Sequence, residues 1–267
     1  MGTAIERTRA ARPPLLRGVW RLGQPLYQPA RRVIGEAFRL PAAYLKFARD
    51  LRKFRRLGGE AAFADLAPHF FDDASATQSG GGEYFFQDVW ALKKLCEFQP
   101  IEHQDFGSRL DGFVGQATAV TKVVYWDIRR PPFELPGLEF REGDLTRLPL
   151  ADGSVESISC LHTAEHVGLG RYGDPIDPCG TERALQELQR ILAPAGQLLF
   201  SMPVGEPSVS FNAYRRWHPQ RPLEVLSELR LQEFSAVDDE GRFRLAVSPQ
   251  AMLGASAGCG LYLFRKG

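Results

Sequence analysis

The chain has 267 residues, 44% of them hydrophobic, and a formal net charge of +1. This length and composition predict one full α/β core with an extension, and they exclude a chain too short or too polar to bury a core. The small net charge conceals a division, because residues 1–59 hold 14 Lys/Arg and 3 Asp/Glu, whereas the remainder is acidic. An acidic body argues against nucleic acid as a partner.

Cysteine usage and hydropathy bear on the compartment. The four cysteines lie far apart without a C-x-x-C pair, which favours a reducing compartment and argues against a cysteine-rich zinc site. The first residues are Arg-rich and show no compact apolar core of the kind found in a secretory signal. The uncharged run 245–264 contains Pro249 and Gln250, so it is interpreted as a loop plus a last strand rather than a membrane span. We therefore expect a cytoplasmic protein.

Residues 1–82 are predicted to form a basic helical extension and linker ahead of a domain at 83–267. Apolar residues repeat at helical spacing over 29–57 with basic residues between them, and 60–71 gives a second short helix before the linker. A basic amphipathic helix can lie in the headgroup region of an anionic membrane, so residues 29–57 are expected to dock there as a peripheral anchor. The alternative is that these apolar residues pack on the acidic body or pair two copies in a homo-oligomer.

The body is predicted to begin with a helix over 84–98 that leads into a strand over 101–106. A turn containing glycine follows at 107–112, and apolar residues at helical spacing predict a helix over 110–120. This order of strand, turn and helix places backbone N–H groups at the carboxyl edge of a parallel sheet, where open α/β folds bind ligands.

Three successive strand-like runs end in an acidic residue or lead to one, namely Asp105, Asp127 and Asp144. Asp127 lies 22 residues after Asp105, the usual distance for a carboxylate that binds ribose hydroxyls in a βαβ unit. The later elements are predicted in the order strand, helix, strand, helix, strand, strand, at 155–161, 181–192, 196–204, 222–229, 231–237 and 260–264.

The motifs in this order resemble one known family. D-F-G-S-R-L-D-G, an acid after the second strand, G-D-L with L-P-L-A-D-G-S after the third, and E-L-Q-R-I-L-A-P-A-G-Q-L-L-F-S resemble class I methyltransferases that use S-adenosylmethionine. H-Q-D-F-G-S-R-L-D-G-F and G-L-G-R-Y-G-D-P-I-D-P are similar to a bacterial branch of that superfamily often met among surface-polysaccharide genes. The resemblance covers residues 83–266 and implies an α/β, Rossmann-like, mostly parallel sheet of seven strands whose last strand is antiparallel.

The resemblance implies S-adenosylmethionine as methyl donor and a set of residues that hold it. Its methionine end would meet the turn after the first strand, its ribose Asp127, and its adenine Asp144 with Leu145. The turn departs from the superfamily pattern at Arg109 and Asp111, where small residues are usual. The expected cofactor-binding residues are Asp105, Gly107, Ser108, Arg109, Asp127, Ile128, Asp144, Leu145 and His162.

The segment H-T-A-E-H after the fourth strand admits two interpretations. His162, Glu165 and His166 form H-x-x-E-H, the inverted zincin motif, in which two metal ligands lie one helical turn apart with a Glu base between them. The resembling methyltransferases place E-H at this point, lining the donor and acceptor cleft. We predict these three residues as catalytic without a bound metal, with His166 either the general base or a capping histidine, and keep a zinc hydrolase as the alternative.

The loop 168–178 and the segment after the fifth strand are predicted to bind the acceptor, because loops at this edge of the sheet select substrates. Their polar and aromatic side chains suit a sugar or other polyol. Asp174 with Asp177 could instead hold a divalent ion, or each residue could serve a structural turn. The predicted acceptor-binding residues are Arg171, Tyr172, Asp174, Asp177, Tyr214, Arg215 and His218.

The resulting hypothesis is methyl transfer from S-adenosylmethionine to a small-molecule or carbohydrate acceptor, through oxygen, in surface-glycan biosynthesis. Displacement at a sulfonium is a single step, so the protein mainly holds the donor, aligns the acceptor and removes a proton. The alternative from a different class is a non-catalytic, donor-binding scaffold of an envelope-assembly complex.

Overall fold

The computed structural model describes residues 39–58, 66 and 81–267. The chain divides into two units, Met1–Gln78 and Ser79–Gly267. Residues 29–38 of the first predicted helix lie outside the described residues, and so does the helix predicted at 60–71 apart from Leu66.

Helix α1 of the first unit spans Leu40–Arg56. Pro41 stands in its first turn, where the fixed φ of proline suits a helix start and its missing N–H removes no bond. Lys53, Arg55 and Arg56 lie in the last turn, where cations interact favourably with the helix dipole. None of its residues is buried, and its apolar and basic residues alternate at helical spacing. The helix predicted here is therefore present over its described part.

The second unit contains an eight-stranded sheet and a two-stranded hairpin. The strands are β1 Glu102–Phe106, β2 Lys122–Asp127, β3 Leu138–Glu142, β4 Val155–Leu161, β5 Leu192–Val204, β6 Ser208–Ser210, β7 Tyr214–Arg216, β8 Leu229–Val237, β9 Phe243–Arg244 and β10 Gly258–Lys266. Strands β1 to β5 pair in parallel, whereas β10 is antiparallel to both β5 and β8, in the order β3-β2-β1-β4-β5-β10-β8-β9. The mostly parallel sheet with an antiparallel last strand is confirmed, and the eighth strand is the two-residue edge strand β9.

Helices cover both faces of this sheet. They are α2 Glu83–Phe98, α3 Gly115–Ala117, α4 Gly180–Ile191 and α5 Arg221–Val225. Successive residues of β2 point to opposite faces, as a strand requires, so Val124 and Trp126 join one apolar cluster while Val123 and Tyr125 join the other. The first cluster packs on α4 and the second on α2. Burial on both faces explains the apolar run V-V-Y-W of β2. The central strands β1 and β4 also bury polar side chains, which are paired with one another, as His103 is with Ser157 and Ser159.

The segment after β1 differs from the helix predicted at 110–120. It forms a π-helical turn at Leu110–Val114 followed by the single turn of α3. Gly112 has non-helical angles, φ −121° and ψ −119°, and a Cβ at this position would lie 2.2 Å from Asp88 Oδ2. Helical spacing of apolar residues was present, but the glycine and its close approach to α2 interrupt the regular helix.

The uncharged run 245–264 is a loop with the short 3₁₀ helix Pro249–Met252, followed by most of β10. The interpretation as a loop plus a last strand is confirmed. In the described parts of the chain, no helix is both long enough and apolar enough to cross a membrane.

Candidate functional site

The carboxyl ends of β1, β2 and β4 meet at one edge of the sheet, around a cavity of about 510 Å³. This is the edge at which parallel sheets bind ligands. The sequence-predicted residues at its wall are Gly107, Ser108, Arg109, Asp127, Ile128, Asp144, Leu145, His162, His166, Tyr172 and Asp174. Predicted site residues that do not line it are Asp105, Glu165, Arg171, Asp177, Tyr214, Arg215 and His218. The cavity thus brings together most of the expected donor site and two acceptor residues.

The turn after β1 is tight because Gly107 has a positive φ of 72°. A Cβ there would lie 2.5 Å from Thr163 Cγ2, so only glycine fits between β1 and the end of β4. Ser108 N–H donates to Asp105 Oδ1 at 3.0 Å, and Leu161 N–H donates to Ser108 Oγ at 2.9 Å. Asp105 therefore stabilises the turn from the buried side and does not line the cavity.

Asp105 is fully buried beneath this turn, and its Oδ2 accepts a hydrogen bond from Ser159 Oγ. Burial raises the pKa of Asp105 from 3.8 to about 6, although the bonds from Ser108 and Ser159 oppose the rise. The folded protein consequently binds this proton more tightly than the unfolded chain does. The associated stability is present below the unfolded pKa and is lost as pH rises through about 6.

We predict that Asp105→Asn removes this pH dependence, because asparagine retains an oxygen for Ser108 N–H but does not ionise. Melting temperatures of the wild type and the variant, measured between pH 4 and 7, should converge or cross as the wild type loses stability toward the pKa of about 6. If the melting temperatures of the two proteins differ by the same amount at every pH in this range, the raised pKa assigned to Asp105 is contradicted.

The cavity wall beside the Gly107 turn combines Arg109 with Tyr84, an aromatic residue that was not among the predicted site residues. Arg109 Nη2 pairs with Asp111 Oδ2 at 2.7 Å, and its guanidinium lies 4.8 Å from the ring centroid of Tyr84. Tyr84 stands in the first turn of α2 and lines the cavity. The unusual Arg109 turn therefore has its own supporting contacts at this rim.

Asp127 ends β2 at the cavity and is nearly buried. Its Oδ1 accepts from Arg129 N–H at 2.8 Å and Arg129 Nε at 3.1 Å, and its Oδ2 accepts from Tyr125 Oη at 3.1 Å and Arg129 Nη2 at 3.2 Å. Asp144 begins the next turn, where its Oδ1 accepts from the N–H of Thr146 at 2.8 Å. Two carboxylates thus reach the cavity from neighbouring strands, as their order in the sequence predicted.

His162 follows β4 with a positive φ of 52°, a strained conformation for a non-glycine residue. Its Nδ1 lies 2.9 Å from Glu165 Oε1 and its Nε2 lies 3.1 Å from Cys259 Sγ. Burial alone would lower the pKa of His162, but the neighbouring sulfur and carboxylate raise it well above 6.5. Burial also raises the pKa of the Cys259 thiol, and the adjacent His162 opposes that rise.

Both ring nitrogens of His162 are engaged by protein groups, although the residue lies at the cavity wall. Glu165 is also fully buried and holds His162 rather than facing the cavity. Its Oε2 is one of two buried side-chain oxygens without a hydrogen-bond partner among the residues that the structure describes. Glu165 does not line the cavity, whereas His162 does, and the catalytic role predicted for these two residues stays a prediction.

His166 has the geometry of a base. Its Nδ1 lies 2.6 Å from the carbonyl oxygen of Ala213, so Nδ1 carries the donated hydrogen and Nε2 keeps a lone pair. Nε2 lies 3.8 Å from Glu165 Oε1, and the ring meets Tyr172 edge-on at 5.5 Å. This is a tautomer suited to accept a proton at Nε2.

The H-x-x-E-H segment does not adopt the geometry of the inverted zincin motif. Residues Ala164–His166 form a 3₁₀ turn after the strained His162, so the two imidazoles do not lie one α-helical turn apart. Within the described ranges, no cluster of three or more His, Cys, Asp or Glu side chains could hold a metal ion. The local backbone therefore argues against the zincin interpretation of this segment.

Two aspartates, Asp174 and Asp177, stabilise different parts of the loop 168–178. Asp174 Oδ2 accepts from the N–H groups of Gly168 at 2.7 Å and Gly170 at 3.2 Å. Asp177 Oδ1 accepts from Cys179 N–H at 3.0 Å, while its Oδ2 pairs with Arg183 at 3.1 Å. The two carboxylates are used by different backbone turns and do not form the shared ion site considered from the sequence.

Arg215 is a structural clamp rather than an acceptor ligand. Its side chain is buried, and its guanidinium donates to the carbonyl oxygens of Val167, Asp177 and Pro178 and to Thr181 Oγ1. The sequence could not show this inward direction, because β6 and β7 form a hairpin of two very short polar strands. The remaining predicted acceptor residues from this region, Tyr214 and His218, do not line the cavity.

We predict that Arg215→Lys lowers the free energy of unfolding by about 1–2 kcal/mol, because one ammonium cannot satisfy four separated acceptors. Thermal and urea unfolding measure the change. Arg183→Lys is the matched control, since Arg183 contacts the same loop from the solvent side and its replacement should change stability by less than about 0.5 kcal/mol. Equal effects of the two substitutions would contradict the clamp.

Comparisons with known proteins place this fold. A family model described as "Caenorhabditis protein of unknown function, DUF268" matches residues 152–237, and no curated protein matches the sequence. Among solved structures, 1,6-didemethyltoxoflavin-N1-methyltransferase from Burkholderia thailandensis, with 1,6-didemethyltoxoflavin and S-adenosylhomocysteine bound, has a TM-score of 0.50 and 13% identity over 73% of this chain and 82% of that chain.

Two further structures are similar over most of their length. The [4+2]-cyclase SpnF has a TM-score of 0.49 and 14% identity, covering 79% of this chain and 89% of that chain. N-methyltransferase NodS from Bradyrhizobium japonicum WM9, in complex with S-adenosylhomocysteine, has a TM-score of 0.46 and 13% identity, covering 73% and 93%. The α/β sheet order, antiparallel last strand and leading helix are those of the Rossmann-like fold of class I methyltransferases.

Proposed function

We propose that the protein transfers a methyl group from S-adenosylmethionine to an oxygen of a small-molecule or carbohydrate acceptor. One observation carries the proposal, namely that a single cavity in a methyltransferase fold joins the Gly107 turn, Asp127, Asp144 and His166. The donor supplies an electrophilic methyl group on a sulfonium. The chain's own task is to hold that donor, align the acceptor and receive the acceptor's proton.

The residues at the wall fit such a donor. The positive φ of Gly107 and its close packing on Thr163 fix the turn at the cavity wall, where a ligand can meet it. Asp127 supplies carboxylate oxygens for ribose hydroxyls, and Leu145 with Ile128 supplies apolar surface for a purine. These groups come from three successive strand ends, which explains why they share one edge.

His166 is the proposed general base for the acceptor oxygen. Its Nδ1 hydrogen is held by Ala213, which leaves Nε2 to accept the hydroxyl proton. Tyr172 and Asp174 lie beside it at the same wall and belong to the loop that we propose selects the acceptor. Hydroxyl, carboxylate and aromatic groups at this point suit a polyol, which supports a role in glycan biosynthesis.

The direct test is titration calorimetry of the purified full chain with S-adenosylhomocysteine, followed by incubation of labelled donor with cell extract. Binding together with label in a small molecule or glycan fraction supports the proposal. Binding without transfer to any fraction would favour the donor-binding scaffold, and absence of binding at high micromolar concentration would reject both. Stoichiometric zinc by elemental analysis would instead revive the hydrolase.

We further propose that α1 docks on an anionic membrane surface, placing a cytoplasmic enzyme at the inner face of the membrane. Leu45, Phe54 and Leu57 are exposed apolar residues on or next to a helix whose last turn is basic. Basic residues near an anionic leaflet contribute about 1 kcal/mol each, and salt reverses that attraction.

The membrane proposal is tested by co-sedimentation with anionic and neutral vesicles. Full chain carrying Arg49→Gln, Arg52→Gln, Lys53→Gln and Arg56→Gln should lose salt-sensitive binding to the anionic vesicles, while neither protein binds neutral ones. Equal partition of both proteins would reject the membrane role. Concentration-dependent self-association in sedimentation velocity would then point to the homo-oligomer.

A further inference from the structure

The hydrogen bonding of Asp127 is saturated. A carboxylate offers about four acceptor positions, and the four donors already described fill them. Three of those donors belong to Arg129, one from its backbone and two from its guanidinium. The two hydroxyls of a ribose can therefore reach Asp127 only if they replace protein donors.

We propose that Arg129 determines donor affinity by competing with the ribose hydroxyls for Asp127. The inference rests on the proposed function, because it concerns the same donor site. It assigns a role to a residue that the sequence did not single out and that the resemblance does not supply.

The groups that donate hydrogen bonds to Asp127 differ in how easily they can move away from it. Tyr125 is buried in β2, and the N–H of Arg129 is fixed by the backbone turn. The Arg129 side chain is 54% exposed, so its guanidinium is the group that can move into solvent. Two guanidinium bonds leave and two hydroxyl bonds form, so the number of hydrogen bonds at Asp127 is conserved.

In addition to its bonds to Asp127, the Arg129 guanidinium has a second contact at the cavity. It lies 4.2 Å from the ring centroid of Tyr172, within the range of a cation–π interaction. Tyr172 belongs to the acceptor loop and also meets His166 edge-on. Arg129 thus connects the ribose-binding carboxylate with the loop beside the proposed base.

This arrangement has a specific consequence for the binding free energy of ligands that carry a ribose. Any ligand with a ribose diol binds more weakly than the cavity would otherwise allow, because it must separate an ion pair. A ligand that lacks the diol meets no such competition. The same effect favours release of the demethylated product, which carries the same ribose as the donor.

The test uses full-length wild type, Arg129→Met and the matched control Arg130→Met. Methionine keeps the length and apolar character of the side chain but donates no hydrogen bond. Arg130 is the neighbouring arginine, which lies over the Phe140 ring instead of Asp127. Calorimetric titrations with S-adenosylhomocysteine are followed by competition with adenosine and with 2′,3′-dideoxyadenosine, at two salt concentrations.

Arg129→Met should bind S-adenosylhomocysteine and adenosine about threefold to tenfold more tightly than the wild type, with dideoxyadenosine affinity unchanged. Added salt should strengthen adenosine binding by the wild type, because it screens the competing ion pair, and should leave the variant unaffected. Arg130→Met should behave as the wild type.

Equal or weaker adenosine binding by Arg129→Met, or an equal gain for dideoxyadenosine, would overturn the inference while leaving the proposed function intact. Failure of all three proteins to bind S-adenosylhomocysteine would be a different result, since it would reject the proposed function itself and this inference with it.

Discussion

Asp127→Asn should weaken binding of S-adenosylhomocysteine by about 1.5–3 kcal/mol, which corresponds to roughly a tenfold to 150-fold rise in Kd. The physical reason is the loss of a charged acceptor for the ribose hydroxyls at the end of β2. Titration calorimetry measures the change. The melting temperature should fall only slightly, because the pair that Asp127 makes with Arg129 is half exposed on the arginine side.

The matched control for this substitution is Glu142→Gln. Glu142 is the register partner of Asp127 on β3, but it is exposed and does not line the cavity. Glu142→Gln removes one negative charge at the paired position of the neighbouring strand and should leave the affinity for S-adenosylhomocysteine unchanged. An unaltered Kd for Asp127→Asn, or an equal loss for both substitutions, would refute a direct ribose contact.

His166→Gln should lower turnover by about 10²-fold or more while S-adenosylhomocysteine binding is retained. Glutamine can still donate to the Ala213 carbonyl, so the substitution removes the base with little disturbance of the loop. Single-turnover rates with any acceptor found by the labelled-methyl screen measure the effect.

His218→Gln is the control for the histidine prediction, because His218 lies outside the cavity wall and its Nδ1 accepts from Gln220 N–H. Its S-adenosylhomocysteine binding should equal that of the wild type, and its turnover separately tests the acceptor-binding role that the sequence predicts for His218. Unchanged turnover in His166→Gln would return His166 to a structural role, and a parallel loss of donor binding would show that the substitution damages the donor site instead.

Most of the fold follows from local pattern in the sequence. The bounds of β4 coincide with the prediction because V-E-S-I-S-C-L is a short stretch with two β-branched residues that directly follows the turn residues D-G-S. The positions of Asp127 and Asp144 followed from strand ends, since parallel strands present their carboxyl ends at one edge. Such features depend on periodicity and spacing, which a single sequence displays.

The features that the sequence did not reveal depend on contacts between distant residues. His162 is held by Cys259, 97 positions later, and no spacing rule predicts that contact. Tyr84 lines the cavity because α2 crosses the sheet end, a tertiary fact that its helical pattern does not contain. Arg129 resembled any exposed charge two residues after an acid, and only its geometry shows that it saturates Asp127.

The Arg215 clamp has a consequence for any exchange of the loop 168–178. Its side chain comes from the β6–β7 hairpin, and its four bonds end on residues at or just beyond both ends of the loop 168–178. Ala213, in the turn of the same hairpin, accepts bonds from His166 and Arg171. Loop and hairpin therefore form one structural unit. A loop grafted from another protein would keep its shape only if the segment corresponding to residues 208–216 were taken from that protein as well.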